Sequence, residues 1–193
     1  MKILLLHAHP VAESFNGALH QLALRQLRAN GHEVDDCDLY AEGFDPCLSR
    51  LERLAYHDEA LNLEPVRQYV ERLKRAEAIV MCYPVWNFGY PAILKGYFDR
   101  VFLPGISFRL VEGRVVPNLH HIAKVVVITT YGGPRWRAFV LGDPPRKLVK
   151  RVVRVQIKPG APVHYLAHYD MNRSTPHSRD RFMARVNKTI GAF

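Results

Sequence analysis

With 193 residues, 48% of them apolar and 23% charged, the sequence has the size and composition of one globular domain, which we predict over residues 1–193. No apolar run approaches the roughly 20 residues that cross a bilayer. This argues against membrane insertion, and three cysteines without a Cys-x-x-Cys pair indicate a reducing, cytoplasmic location. The net charge of +9 suggests anionic partners, but no nucleic-acid-binding motif accompanies it, and we predict no nucleic-acid partner.

The first part of the chain predicts a strand, a loop, a helix and a second strand. The apolar run Lys2–His7 indicates a buried strand, since it is too short for a signal peptide and no cleavage site follows. A turn-rich loop leads into a helix from about Asn16 to Asn30, and Gly31 stands where a helix C-terminal glycine belongs. His32–Asp38 predicts the second strand.

The middle of the chain contains its most informative stretch. Leu39–Leu54 is predicted to be irregular, and a helix is predicted from about Glu64 to Ala76. The apolar run Ala78–Tyr83 predicts a strand buried on both faces. Pro84, Gly89 and Pro91 then force a shaped loop, and Pro91 suits the first position of a helix that reaches Phe102.

The remaining segments continue the alternation. Leu103–Asn118 predicts a hairpin about Gly113, and the β-branched run Lys124–Thr130 predicts a strand. After the break at Tyr131–Pro134, we predict a basic helix over roughly Arg137 to Arg151. A last strand over 162–169 and a helix over about 178–189 complete the chain.

Strands that alternate with helices predict an α/β fold with a doubly wound parallel sheet. Five strands favour the flavodoxin-like order 2-1-3-4-5, with helices on both faces. No G-x-G-x-x-G follows the first strand, so a Rossmann dinucleotide site is not predicted.

Three loops leave the carboxyl ends of neighbouring strands in that order, at His7–Asn16, Tyr83–Gly89 and Thr130–Pro134. Ligands bind over such loops in open α/β sheets. In the first loop, Ser14, Phe15 and Asn16 open a helix whose free N–H groups favour an anion, although Ser14 is equally explained as a helix cap. His7-Ala-His9 suggests a metal, but no further ligand has suitable spacing, and no metal site is predicted.

The second and third loops have features suited to a flat ring. Trp86 and Phe88 offer aromatic surface, and the turn at Gly132 and Gly133 allows close approach and unusual backbone dihedral angles. Either feature alone is also explained by packing or by an ordinary glycine turn. The prediction of a site rests on all three loops meeting.

The run from Tyr83 to Phe102 resembles the flavin loop and following helix of the NAD(P)H:quinone oxidoreductase family, which includes DT-diaphorase and bacterial modulator-of-drug-activity-B-type reductases. His9 and the Ser14-Phe15-Asn16 run fit the family's phosphate loop. The resemblance implies a flavodoxin-like fold, a flavin (FAD favoured, FMN possible) and NADPH or NADH as donor. It implies cofactor-binding roles for His9, Ser14, Phe15, Asn16, Pro84, Val85, Trp86, Asn87, Phe88, Thr130, Tyr131, Gly132 and Gly133, with Tyr131, Gly132 and Gly133 also at the reacting edge of the flavin.

The resemblance further implies two-electron reduction of quinones or similar flat electrophiles by a ping-pong mechanism. It also implies a homodimer, to which Tyr90, Phe102 and the Leu103–Val116 excursion would contribute. An alternative is a flavin-binding regulatory subunit of a membrane transport system, as some relatives are for potassium efflux.

The sequence departs from the family after the third loop. Tyr131 stands where threonine is usual, and the Tyr and His that handle charge in the mammalian enzymes have no clear counterpart. Tyr131 and Arg135 are the candidates to replace them. Arg135, Arg137 and Arg146 are candidates to meet a 2′-phosphate, which would favour NADPH.

Overall fold

The computed structural model describes residues 1–193 and contains one five-stranded sheet, all of whose neighbouring strands are parallel. The strands lie in the order β2-β1-β3-β6-β7. Two further strands, β4 and β5, form a separate hairpin, and when they are left out of the numbering the order is the predicted flavodoxin-like 2-1-3-4-5. The sheet strands are β1 Lys2–His7, β2 Glu33–Asp38, β3 Ala78–Val85, β6 Lys124–Tyr131 and β7 Val163–His168.

Helices cover both faces of the sheet, as predicted. On one face α1 and α8 pack over Ile3 and Leu5, and on the other α3 and α4 pack over Leu4 and Leu6. This alternation follows from the period of two along a strand, which sends successive side chains to opposite faces. The longer helices are α1 Phe15–Ala29, α3 Arg67–Arg75 (entered through a 3₁₀ turn, Glu64–Val66), α4 Ala92–Val101 and α8 Pro176–Gly191. None of the helices combines the length and the apolarity that a bilayer span requires.

The predicted hairpin forms the antiparallel pair β4 Phe108–Val111 and β5 Arg114–Pro117. Its two-residue turn is Glu112-Gly113, and both residues have positive φ. That conformation matches the right-handed twist of the flanking strands.

The prediction of one continuous basic helix over residues 137–151 is wrong. The segment is divided into α5 Arg135–Val140, α6 Pro144–Lys147, a π-helix at Leu148–Val153 and α7 Arg154–Gln156. Gly142 and Asp143 both have positive φ and end α5. Pro144 and Pro145 then open a new helix, because a proline lacks the N–H that the preceding turn would need.

The prediction of an irregular segment over 39–54 is also wrong at its end. A short helix, α2 Arg50–Ala55, begins there. The Ser49 hydroxyl accepts from the Glu52 N–H, and the Glu52 side chain accepts from the Ser49 N–H. This reciprocal cap stabilises a helix that hydrophobic periodicity does not indicate.

Candidate functional site

The structure brings the three predicted loops together around one cavity of about 310 Å³ at the carboxyl edge of the sheet. The cavity lies at the ends of β1, β3 and β6, as expected for an open α/β sheet. The lining residues are His9, Ser14, Phe15, Asn16, Pro84, Val85, Trp86, Thr130, Gly132, Met171 and Asn172.

One end of the cavity is the N-terminus of α1. The Ser14 hydroxyl accepts from the Gly17 N–H, so Ser14 is the helix cap. The N–H groups of Phe15 and Asn16 have no hydrogen-bond acceptor in the protein. Free N–H groups at a helix N-terminus, together with the helix dipole, bind anions. Capping by Ser14 and anion binding by its two neighbours are therefore compatible.

The hydrogen bonds of His9 within the protein all involve one ring nitrogen, Nδ1. The Val11 N–H donates to His9 Nδ1 at 3.0 Å, and the Ser14 hydroxyl lies 3.1 Å from the same nitrogen. The Val11 carbonyl oxygen also lies 3.0 Å from Nδ1, so Nδ1 is occupied within the loop. His9 Nε2 has no hydrogen-bond partner in the protein, which leaves it for a ligand at the anionic end of the cavity.

Asn16 contributes an unused buried donor. Asn16 is 3% exposed, and its side-chain Nδ2 group has no hydrogen-bond partner. The Cys82 thiol donates a weak hydrogen bond to the backbone carbonyl oxygen and the side-chain Oδ1 of Asn16, and this holds the amide in place. A buried polar group without a partner is costly, so this amide indicates an acceptor on a ligand.

The second loop forms the aromatic wall. Trp86 is 42% exposed beside the cavity, and its ring lies 5.7 Å from that of His9. Asn87 and Phe88 occupy the centre of a tight turn, in which the Gly89 N–H donates to the Trp86 carbonyl. Both have positive φ, and this conformation is strained for phenylalanine. Neither Asn87 nor Phe88 lines the cavity.

The third loop contributes Thr130 and Gly132, whereas Gly133 lines an adjoining cavity of about 160 Å³. The expectation of unusual backbone angles at Gly132 and Gly133 is wrong, since neither has a left-handed φ. A Cβ on Gly132 would meet only the Asn172 side chain, at an ordinary 3.4 Å. Nothing in the protein requires glycine here, which leaves close approach of a ligand as its explanation.

Tyr131 and Arg135 do not lie in the cavity. The Tyr131 hydroxyl donates to Asp143 Oδ1 at 2.6 Å and lies 2.7 Å from the Tyr165 hydroxyl, on the other side of β6. Burial, reinforced by Tyr165 and Asp143, raises the pKa of Tyr131 far above its usual range, so the phenol stays neutral. Arg135 lines a separate cavity beyond Asp143. Neither side chain is placed to compensate charge in the three-loop cavity.

A fourth loop, after β7, was missed by sequence reasoning. Met171 and Asn172 line the cavity, and the Asn172 N–H donates to the Gly132 carbonyl at 3.2 Å. The Asp170 N–H donates to the Gly133 carbonyl at 2.8 Å. The predicted strand order places the last strand beside the fourth, so its carboxyl-end loop was the signal that would have identified these residues.

The histidine pair near β1 does not suit a metal ion. His7, His20 and Asp38 bring potential ligand atoms within 4.8 Å of one another. The two imidazole rings are parallel and stacked, however, with centroids 4.1 Å apart. Their in-plane lone pairs do not converge on one ion, and His7 Nδ1 and His20 Nε2 are bonded to Asp38 and Asp36.

Comparison with known proteins places the fold and agrees with the predicted resemblance. A family model described as a flavodoxin-like fold matches residues 1–154. NAD(P)H dehydrogenase [quinone] 1 of Rattus norvegicus is 32% identical in an alignment of 124 positions that covers 55% of this chain and 45% of that protein. The chain spans about half the length of the curated relatives it matches first.

Two solved structures extend the comparison to the whole chain. NAD(P)H:quinone oxidoreductase from Methanothermobacter marburgensis superposes with a TM-score of 0.81 and 25% identity, covering 99% of this chain and 98% of that one. An FMN-dependent NADH-azoreductase from Bacillus anthracis, in complex with FMN, gives a TM-score of 0.77 over 99% and 98% of the two chains. Its 16% identity supports the fold alone.

Proposed function

The chain belongs to the flavodoxin-like family whose model spans residues 1–154, and on this premise we propose that it is an NAD(P)H-dependent flavin oxidoreductase. Its substrates are quinones or similar flat electrophiles. The observation that carries the proposal is the set of unused donors at one end of the three-loop cavity, the N–H groups of Phe15 and Asn16 and the buried Asn16 amide. The named relatives support the same assignment.

The residues present fit a flavin. A bound flavin supplies two-electron transfer as hydride, and the protein supplies binding, orientation and electrostatics. The α1 N-terminus, His9 and Asn16 would hold its phosphate, and Trp86 and Val85 would flank its ring. Gly132, whose missing side chain no protein contact explains, leaves room for the ring edge.

The protein's part in the chemistry is electrostatic. Donors held in place beside the ring edge would stabilise the negative charge of a reduced flavin, and in enzymes with preorganised donors of the oxyanion-hole type each donor is worth roughly 3 kcal/mol. Thr130 and Asn172 offer such donors on either side of Gly132. Hydride transfer itself needs no base, and the proton that a quinone takes up with the hydride to become a hydroquinone would come from solvent through the open cavity. The lack of an ionisable acid or base at the reacting end of the cavity is therefore no obstacle.

Two finer features complete the proposal. NAD(P)H and the acceptor use the same open cavity in turn, which gives ping-pong kinetics.

The anchor loop favours FAD, whereas a structural neighbour is in complex with FMN. The two flavins differ by an adenylate unit, and chromatography of the released cofactor distinguishes them.

We also propose a homodimer, and the structure supplies a candidate surface. An apolar groove of about 210 Å³ lies between α4, the hairpin and the π-helix. Its walls include Tyr90, Phe102 and Phe108, which come from the segments predicted to contribute to a dimer. Phe102 is itself only 8% exposed, so it forms the floor of the groove.

The test is to purify the protein, record its absorption spectrum and assay NAD(P)H oxidation with benzoquinone. We expect a yellow protein with a stoichiometric flavin and steady, acceptor-dependent turnover. A colourless protein that gains neither spectrum nor activity on addition of FMN or FAD would refute the proposal. Bound flavin with negligible turnover would instead favour the regulatory alternative.

A further inference from the structure

A second cavity, of about 330 Å³, lies at the same edge of the sheet between α5, α6 and the π-helix. Its walls carry five cationic side chains, Arg135, Arg146, Lys147, Lys150 and Arg151. One carboxylate, Asp143, lies among them, and it accepts hydrogen bonds from the hydroxyls of Tyr131 and Tyr169. We refer to it as the basic cavity.

The cations of the basic cavity are not neutralised within the chain. None of the five forms a salt bridge, whereas the Lys and Arg salt bridges of the protein all lie between residues 35 and 100. Partial burial and repulsion from Arg154 and Arg146 lower the pKa of Lys150 below its ordinary value. Like charges gathered around a concave surface focus the potential there and attract an anion.

Aromatic side chains in the wall narrow the class of anion. Phe139 is 82% exposed at the rim, and the Tyr169 ring lines the interior. A Phe side chain so exposed gains by covering its face with a flat apolar ring. Arginines bind phosphate oxygens through pairs of N–H groups, and arginine also stacks on planar rings. The combination suits a nucleobase that carries a phosphate monoester.

Neighbouring residues of the chain contribute to the basic cavity and to the three-loop cavity. Thr130 and Gly132 of β6 and its loop line the three-loop cavity, and the residue between them, Tyr131, sends its hydroxyl to Asp143 of the basic cavity. The two cavities therefore lie on opposite sides of the end of one strand. A ligand that extends across this strand end reaches both.

We propose that the basic cavity binds the 2′-phosphoadenosine end of NADPH, with the 2′-phosphate on Arg146 and Arg151 and the adenine against Phe139. Arg135 and Arg146 line this cavity together, whereas Arg137 lies in the adjoining smaller one beside Trp136. The identity of the ligand rests on the proposed function, since it makes the cavity a subsite for the electron donor. The presence of a phosphate site rests on the cavity alone.

The test uses adenosine 2′,5′-bisphosphate, which carries the 2′-phosphate but has no redox chemistry. Its affinity is measured by calorimetry beside adenosine 5′-monophosphate and inorganic phosphate, on the wild type and on an Arg146→Gln/Arg151→Gln double variant. The matched control is Arg25→Gln/Arg28→Gln, which removes two exposed arginines from α1 on the other face of the sheet. Circular dichroism verifies that each variant is folded.

We expect the wild type to bind the bisphosphate about tenfold or more tightly than the monophosphate, since only the bisphosphate carries the 2′-phosphate that meets the two guanidinium groups. The affinity of the cavity variant for the bisphosphate should be about tenfold or more lower than that of the wild type, and the affinity of the control should stay within about twofold of it. Equal binding by the cavity variant, or inorganic phosphate bound as tightly as the bisphosphate, would overturn the proposal.

The kinetic counterpart is the ratio of KM for NADPH to KM for NADH. It should rise about tenfold in the cavity variant and remain unchanged in the control. Failure of this proposal and failure of the proposed function are distinguishable. A yellow, active protein that ignores the bisphosphate contradicts only the NADPH subsite, whereas bisphosphate binding by a protein that takes up no flavin contradicts only the oxidoreductase assignment.

Discussion

Gly132 lines the three-loop cavity and Gly17 lies in the first turn of α1 next to it, and the two are glycine for different reasons. A Cβ on Gly17 would lie 2.1 Å from the Ala12 carbonyl oxygen, a distance that no real contact allows. A Cβ on Gly132 would meet the flexible Asn172 side chain at 3.4 Å. The first glycine is required by the packing of the anchor loop on α1. The second is required by nothing in the protein, which is why it points to a ligand.

Gly17→Ala should therefore destabilise the protein itself. Overpacking of this kind costs about 1–3 kcal/mol, and relief requires the Ala12 loop to move away from the α1 N-terminus. We expect the midpoint of urea unfolding to fall. We also expect the flavin to bind more weakly, because the α1 N-terminus that would hold its phosphate is displaced. Gly191→Ala is the control, because its Cβ would meet only the end of Gln26 at 3.7 Å. Equal midpoints for the two variants would contradict the prediction.

Gly132→Ala should have the opposite pattern. We expect an unfolding free energy within about 1 kcal/mol of the wild type, since alanine is compatible with the available space. The affinity for flavin should nevertheless fall. The affinity of Gly132→Val should fall further, because valine fills more of the space that the ring edge needs. Fluorescence titration of the apoprotein with FMN and FAD measures both. Undiminished flavin retention by Gly132→Val would show that this turn does not face the ring.

Single residues of the site were foreseeable to different degrees. His9, Ser14 and Asn16 follow the first strand and open a helix, so their convergence with Trp86 and Gly132 follows from strand order alone. Tyr131 was misjudged because a single step along a strand changes the face, and its hydroxyl therefore meets Asp143. The free Asn16 amide and the contacts of His9 Nδ1 depend on neighbours that only the folded chain brings together.

At the scale of elements, β1, β2 and α1 are joined by a buried pair of histidines. His7 on β1 stacks on His20 of α1, and their other contacts are to Asp38 and Asp36 at the end of β2. Burial lowers the pKa of His7, with further lowering by His20 and His9, although its hydrogen bond to Asp38 opposes this. Burial would raise the pKa of Asp38, but bonds from His7 and the Ala41 amide lower it overall.

These shifts predict a loss of stability in mild acid. A histidine whose pKa is lower in the folded state binds fewer protons there than in the unfolded chain, so stability decreases as the pH falls below about 6.5. The Asp38 contribution is retained until the pH falls below its ordinary value, near 3.8. Between pH 7.5 and 5.5 we therefore expect the unfolding free energy to fall.

Urea unfolding at the two pH values measures the effect. His7→Gln should reduce the difference between them, because a glutamine amide can still bond to Asp38 but does not titrate. His120→Gln, which alters an exposed histidine, is the control and should leave the difference unchanged. A pH dependence that persists in full in His7→Gln would assign it to other groups, such as the buried His168.

Element boundaries show where pattern reading succeeds and fails. Each sheet strand was predicted within about two residues. For β1, β3 and β6 the reason is that buried parallel strands are apolar runs flanked by turn residues. The segment after β6 was predicted as one helix from its basic composition, although Gly142-Asp143-Pro144-Pro145 contains the signals that divide it. The division matters for the site, since it creates the concave basic cavity in place of a convex helical face.

At the scale of the whole molecule, charge and apolar surface are unevenly distributed. Between residues 135 and 158 there are eight Lys or Arg residues and a single carboxylate, Asp143. The same segment exposes Val140, Val152 and Val155 by 72%, 49% and 63%. Single exposed apolar residues are ordinary, but Val152 lines the apolar groove between α4, the hairpin and the π-helix, and exposed apolar surface at such a groove marks an interaction surface. The proposed dimer would cover this groove and bring a second copy towards the open cavities.

Val152→Glu should dissociate that dimer. Val152 lines the groove with Tyr90, Phe98 and Phe108, and a carboxylate there would be desolvated without a partner in the second copy. Light scattering should give twice 22.2 kDa for the wild type and a shift towards 22.2 kDa for the variant. Leu61→Glu, at a 56% exposed position outside the groove, is the control and should remain dimeric. A monomeric wild type, or a Val152→Glu protein that stays dimeric, would reject the groove as the interface without affecting the case for the flavin, which rests on residues of one chain.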